Sequence, residues 1–175
     1  MDKKETTTIT FRIDEENSQA LRKVAEEREI SLNTLANQIF GSTLQLDYPM
    51  SKFGVVMMSK LAFKTLLTNL NDKDIIKLGS DIGFKEPKEF ILFKWNKINT
   101  EIVLHFIKIY FEHCGYGRCN TDQFEKTNTF SIHHDLGKKG SLYLEAFLKS
   151  MIESTLEKPC KTITTDNTIT MELTQ

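Results

Sequence analysis

The sequence is short of the features that announce most specialised protein classes. No run approaches the ~18 apolar residues of a membrane-spanning helix, and the opening MDKKETTT carries no apolar stretch after its lysines, so no secretory signal is expected. Three cysteines, Cys114, Cys119 and Cys160, make an odd count in 175 residues. That is not the density of a disulfide scaffold, and the expected setting is reducing and cytoplasmic. Neither sign of charge is in excess: the net charge is −1, with 6 Lys and Arg against 9 Asp and Glu in residues 1–50. Bulk charge therefore argues for no polyanion, and any nucleic-acid contact must rest on placed residues. Gly-rich phosphate loops, Gly-x-Ser-x-Gly, His-Glu-x-x-His and paired Cys-x-x-Cys are all missing. Nothing pairs a nucleophile with a positioned base, so enzymatic chemistry is not expected.

What is present is the composition of a soluble globular protein, 39% apolar and 27% charged. Near the start, Ile9, Phe11 and Ile13 alternate with Thr8, Thr10 and Arg12, a strand signal of period two. A helix pattern follows at once, opened by Asp14 with Glu15 and Glu16 in its first turn. Leu21, Val24 and Ala25 give it an apolar stripe. Ser31 then suits the N-cap of a second helix carrying Leu35, Ala36, Ile39 and Phe40. A unit of one strand and two helices is too small to stand alone, and its strand has no local partner.

The stretches T-I-T-F-R-I-D, A-L-R-K-V-A and I-S-L-N-T-L-A resemble the ribbon-helix-helix family of DNA-binding proteins over residues 8–44. The resemblance implies an intermolecular two-stranded ribbon in the major groove. Thr8, Thr10 and Arg12 would lie at base edges, and Ser31, Leu32 and Asn33 at a phosphate. A two-stranded ribbon fits that groove, and an arginine can donate two bonds to guanine. A helix N-terminus offers free amides to an anion. Glu29 stands where the family often has glycine, which implies an altered turn there.

The expected organisation is a flexible tail over 1–7, the DNA-binding unit over 8–44, a linker over 45–52 and a second domain over 53–175. For that domain the pattern predicts a short strand at 53–58 and a helix through Ala62 to Leu70. A further helix is capped by Asn71 and broken at Gly83 and Pro87. A long helix runs from Glu89 to about Cys114, with a weak point at Asn96–Asn99. Two strands follow, then a helix over 141–157, then a hairpin turning at Asp166-Asn167. The fold class read from the whole is α+β: an N-terminal ribbon-helix-helix followed by an α+β domain with a mainly antiparallel sheet.

Two constellations in the second domain have functional readings. His113, Cys114, Cys119 and His133 are ligand types for zinc or another soft divalent ion, and nickel-responsive members of the family carry a sensing domain. Satisfied histidine and core cysteines are the bland alternative. Phe90, Phe93, Trp95 and Phe106 could line a ligand pocket, or simply form core. Asp135, Lys138 and Lys139 read as a solvated turn. The function these features indicate is a sequence-specific transcriptional regulator. It would bind double-stranded DNA as a homodimer or tetramer, with an effector of unknown chemistry and no membrane partner. The alternatives are an assembly protein whose first unit only dimerises, and a metal-responsive regulator.

Overall fold

The computed structural model describes residues 5–124 and 127–174. The tail residues 1–4 and the end of the strand expected to reach Lys126 lie outside them. The chain divides into two compact units, residues 1–45 and 46–175.

The first unit corrects the expected fold. Residues 5–14 form no strand, and the first element is a helix, α1 (Glu15–Glu27). A strand needs a hydrogen-bonded neighbour, and nothing in this chain supplies one for residues 8–13. Ile9, Phe11 and Ile13, assigned by their alternation to a core, are 66%, 59% and 51% exposed. Only Phe11 has an aromatic partner, Phe40, at 5.5 Å between ring centroids. The ribbon-helix-helix arrangement is therefore not the fold of this unit. Its two helices do form from local signals. Asp14 takes the extended N-cap conformation and its carbonyl accepts from Ser18 N at 2.9 Å, although its side chain makes no cap bond. α1 closes with Glu29 at φ 53°, Glu29 N bonded to Glu26 O and Ile30 N to Ala25 O. This is the left-handed cap in which glycine is usual. Ser31 caps α2 (Leu32–Ser42), its Oγ accepting from Thr34 N at 3.0 Å. Ala25 and Leu35 are the buried apolar residues of this pair.

The stretch expected as a linker is helical. A π-helical turn (Thr43–Asp47) leads into α3 (Tyr48–Lys52), and Leu46 and Met50 of this stretch are buried in the core of the second unit. The segment expected as a strand, 53–58, is a turn at Phe53 and Gly54 followed by residues without regular structure through 59. Ser59 ends this stretch as the N-cap of α4 (Lys60–Thr68).

The centre of the second unit is a pair of long helices. α5 (Asp72–Trp95) runs through Gly83 and Pro87, where a break was expected, and packs along α7 (Gly137–Leu156). A Cβ on Gly83 would lie 2.2 Å from the carbonyl oxygen of Phe147, and one on Gly79 2.5 Å from that of Tyr143. The glycines thus set how closely the helices approach, and that contact outweighs their poor helix propensity. Ser150 Oγ donates to Ser80 O at 2.8 Å, and Lys88 Nζ to Ser154 O at 2.8 Å, stitching the same seam. α5 stops at Asn96, which turns left-handed at φ 52°, and α6 (Thr100–His113) starts under an Asn99 cap.

The sheet is four-stranded and antiparallel throughout, ordered β1-β2-β4-β3. β1 (Arg118–Phe124) and β2 (Thr127–His133) are antiparallel neighbours, as are β3 (Lys161–Thr164) and β4 (Thr168–Thr174), and α7 intervenes in sequence. Phe130, Ile132, Ile169, Met171 and Leu173 point inward and share one core with Leu144, Leu148, Met151 and Ile152 of α7. Ser131 and Thr170, opposite each other in register, bond across the other face at 2.9 Å. One buried face and one polar face is the usual state of an antiparallel sheet.

Gly83→Ala should lower the unfolding free energy of the second unit by about 1–3 kcal/mol, the range for overpacking a tight contact. A urea titration should show a reduced midpoint with an unchanged slope. A midpoint equal to wild type would mean that α5 and α7 are not in backbone contact at this position.

Candidate functional site

An aromatic pocket lies where α5, α6 and α7 meet the chain that follows α3. α5 contributes Glu86, Pro87 and Phe90 from one face, at i, i+1 and i+4; α6 contributes Phe106 and Tyr110, also four apart; α7 contributes Phe147. Met50, Phe53 and Val55 close the remaining side. The rings form a connected series. Phe53 and Phe90 are 5.4 Å apart, Phe90 and Phe106 5.4 Å, Phe106 and Tyr110 5.2 Å, and Tyr110 and Phe147 6.0 Å. Pro87 has no backbone N–H, so it bares a carbonyl of α5 and presents its ring to the cavity wall.

The free volume is about 50 Å³, well below the roughly 150 Å³ of an apolar cavity that admits benzene. Phe53 is the most exposed ring of the lining, at 38%. It lies tilted against Phe90 and edge to face with Phe93, and is followed by Gly54 at φ 70°. Beyond it residues 54–59 are exposed, Met57 to 95%, so this segment has few packing contacts to hold it. Two lining side chains are polar. Tyr110 is kept neutral, its hydroxyl pKa pushed well above the ordinary value by burial, with Tyr116 and Cys114 adding to the effect. Glu86 is exposed.

A second depression of about 410 Å³ is open and polar, lined by Lys60, Glu112, Arg118, His133, His134 and Asp135 among others. Two of its charges pair with one another. Lys60 Nζ pairs with Asp135 Oδ1 at 2.8 Å, which holds the Asp135 carboxyl below its usual range. His133 Nδ1 lies 3.1 Å from Thr168 Oγ1. Behind it sits a buried His134–Ser141 pair that has the composition of a catalytic dyad and the wrong polarity. Leu136 N donates to His134 Nδ1 at 3.2 Å, so the ring proton is on Nε2. Ser141 Oγ donates to Thr165 O at 2.6 Å and therefore accepts from Nε2 at 3.0 Å. Histidine here holds the start of α7 against the β3–β4 turn and takes no proton from serine. Asn167 reinforces the join, its carbonyl accepting from His134 N at 2.9 Å and its Oδ1 from Gly137 N at 3.1 Å.

The metal set proposed from sequence is not assembled. His113 Nε2 pairs with Asp47 Oδ1 at 2.9 Å, Cys114 is exposed, and Cys119 is buried with its thiol pushed up to about 12 by desolvation. His133 bonds Thr168 on the sheet. Among the described residues no group of three or more His, Cys, Asp or Glu side chains is placed to hold an ion. Of the four aromatics singled out in sequence, Phe90 and Phe106 line the pocket; Phe93 touches Phe53 from outside, and Trp95 lies against Phe90 and His105. The turn expected to be solvated is anchored. Lys139 Nζ donates to Thr68 O at 2.9 Å and also to Leu70 O, satisfying carbonyls at the end of α4. Lys138 is exposed. Thr8, Thr10 and Arg12 are exposed in the segment that precedes α1, and Ser31, Leu32 and Asn33 are exposed at the start of α2.

Sequence reasoning missed Met50, Phe53, Glu86, Tyr110 and Phe147 as neighbours. Tyr110 was findable from its four-residue spacing to Phe106. The others come from elements whose meeting has no local signal.

No protein-family model matches the chain, and no curated protein matches its sequence. Its fold is similar to that of a solved structure, the phenol-responsive sensory domain of the transcription activator PoxR with phenol. The TM-score is 0.52 at 7% identity, covering 67% of this chain and 75% of that one. At such identity the likeness is one of fold.

The buried His134 generates a pH prediction. Burial lowers its pKa, His133 and Lys60 act in the same direction, and Asp135 opposes them. A histidine whose folded pKa lies below its unfolded value of ~6.5 stabilises the fold above ~6.5, and the contribution is lost as pH falls through the folded value. Wild type should therefore lose more melting temperature between pH 7.5 and pH 5 than His134→Gln does. Equal losses in the two proteins would show that His134 is not the group that titrates.

Proposed function

We propose that residues 46–175 are the ligand-sensing part of a transcription regulator, and that a small, mostly apolar organic molecule enters the aromatic pocket by replacing the ring of Phe53. The observation that carries this reading is the run of rings from Phe53 to Phe147 around a small cavity, with Phe53 its most exposed ring. A well-formed apolar pocket with few convergent polar groups is the ordinary form of a small-molecule site. The likeness to a phenol-responsive sensory domain supports a sensing role and the size of the ligand.

The chemistry of sensing then follows from occupancy. A ligand that binds only with Phe53 withdrawn shifts the population toward that state by its differential affinity. Met50 and Phe53 lie within eight residues of Gln45, where the N-terminal unit ends in sequence, so displacement of Phe53 acts on the chain next to that unit.

For the N-terminal unit we propose DNA contact through Arg12 and the start of α2, with a second copy joined through apolar side chains left exposed, such as Ile9, Ile13 and Ile39. Arg12 is exposed in a segment without regular structure, and the N-terminus of α2 offers its first amides to a phosphate, Thr34 N being already bonded to the Ser31 cap. The assembly reading differs in predicting no sequence preference for DNA.

Two measurements test these readings. Phenol, benzene and indole, tested singly by thermal shift, should include at least one that stabilises wild type, by roughly 2.7 kcal/mol at a hundredfold excess over Kd. Phe53→Ala should bind the same compound more tightly, because the ring to be replaced is gone. Silence from all three compounds with both proteins would remove the pocket from the sensing role. In the second measurement, wild type and Arg12→Ala are titrated against DNA at two salt concentrations. Loss of a phosphate contact should reduce the salt slope by about 0.9, and loss of a guanine contact should cost about 1–3 kcal/mol on the preferred sequence alone. Unchanged binding would take Arg12 out of any DNA interface.

A further inference from the structure

The pocket has an electrostatic character that its apolar lining disguises. With Phe53 withdrawn, four aromatic side chains, Phe90, Phe106, Tyr110 and Phe147, share the lining with Glu86, the only charged residue among those that form the wall. No lysine, arginine or histidine lines it. Aromatic faces carry the negative lobe of the ring quadrupole, so rings and carboxylate favour the same sign of guest. Among the described residues, no basic nitrogen pairs with the Glu86 carboxylate within 4.0 Å. The helix positions three and four residues from Glu86 hold Ile82, Gly83, Glu89 and Phe90, so no lysine shares its face of α5, and Lys88, two residues on, donates its Nζ to Ser154 O at 2.8 Å.

Building on the pocket reading, we propose that the ligand is a small organic cation: a compact amine or quaternary ammonium group whose apolar shell sits among the rings while Glu86 at the wall balances its charge. Rings that enclose a cation gain from the quadrupole what they would gain from a neutral guest of equal shape only by burial. A carboxylate, phosphate or phenolate guest meets the opposite situation. It would bring a negative charge to a site with a carboxylate and no basic side chain. The hydroxyl of Tyr110 is the one neutral hydrogen-bonding group in the lining. A neutral alcohol or phenol could use it, but would leave Glu86 without a partner.

The experiment compares guests of the same shape and different charge on the full chain. Choline and 3,3-dimethyl-1-butanol differ in a quaternary nitrogen against a quaternary carbon; benzyltrimethylammonium and neopentylbenzene form a second such pair. Binding is measured by calorimetry on wild type, Glu86→Gln and Phe53→Ala. The expected result is that the cation of at least one pair binds wild type about tenfold or more tightly than its neutral twin. Glu86→Gln should lose about fivefold or more on that cation and leave the neutral compound unchanged. If the neutral twin binds as tightly as the cation, the charge assignment is wrong and the pocket reading stands. A cation preference that survives Glu86→Gln unchanged would overturn the role of the carboxylate. If none of the four compounds binds wild type or Phe53→Ala, while a neutral aromatic such as phenol does, the cation proposal fails alone. If nothing binds either protein, it fails together with the pocket.

Discussion

The second unit depends on one close contact, the backbone approach of α5 to α7 at Gly79 and Gly83. With Phe147 O only 2.2 Å from where a Cβ on Gly83 would stand, no side chain larger than hydrogen fits without moving a helix. That contact decides the depth at which α5 lies, and so where Pro87 and Phe90, one and two turns further along, come to rest. It also places Phe147, whose backbone receives Gly83 and whose ring faces the pocket. The same residue thus serves the helix seam with its main chain and the cavity with its side chain. Overpacking at the glycines would be felt in the cavity because a packed interior transmits strain.

Polar interactions do a different job. They fix where α7 begins. The His134–Ser141–Thr165 chain, with Asn167 and Gly137, ties the helix start to the β3–β4 turn, while Lys139 reaches back to the end of α4 and Lys60 of α4 reaches out to Asp135. A buried network of this kind has to be fully satisfied to be tolerated, and each member here has its partner. The open groove beside it holds charges of both signs, with Lys60 paired to Asp135, His133 bonded to Thr168, and Glu112 and Arg118 also in the lining. The aromatic pocket contrasts with it, for its one charge is unbalanced.

Local signals in the sequence were reliable where a single short stretch contains the whole cause. Ser31, Asn71 and Asn99 cap helices through their own side chains, because a cap bond spans three residues. Asp166 and Asn167 sit in the turn before Thr168–Thr174, and the alternation of Ile169, Met171 and Leu173 marks their inward face. Asn96 stops α5 at the weak point read between Asn96 and Asn99. The same local reasoning failed where the cause lay elsewhere in the chain. Gly83 and Pro87 look like breakers until α7 is laid against them. Residues 8–13 alternate as a strand does, yet alternation supplies no neighbour to bond with.

The sequence by itself determined the helix caps, the strand alternation, the absence of a long apolar run and the stock of aromatic residues. These are properties of residues within a turn or two of one another, set by side-chain reach and backbone preference. Tertiary structure alone decided which aromatics meet. It parted His113, Cys119 and His133, gave His134 its tautomer and brought Phe53, Glu86, Tyr110 and Phe147 to one cavity from segments spread over about ninety residues. The physical reason is that burial rewards any apolar surface that fits, without regard to its place in the chain. Part of that fit was set where α5 and α7 approach backbone to backbone at Gly79 and Gly83.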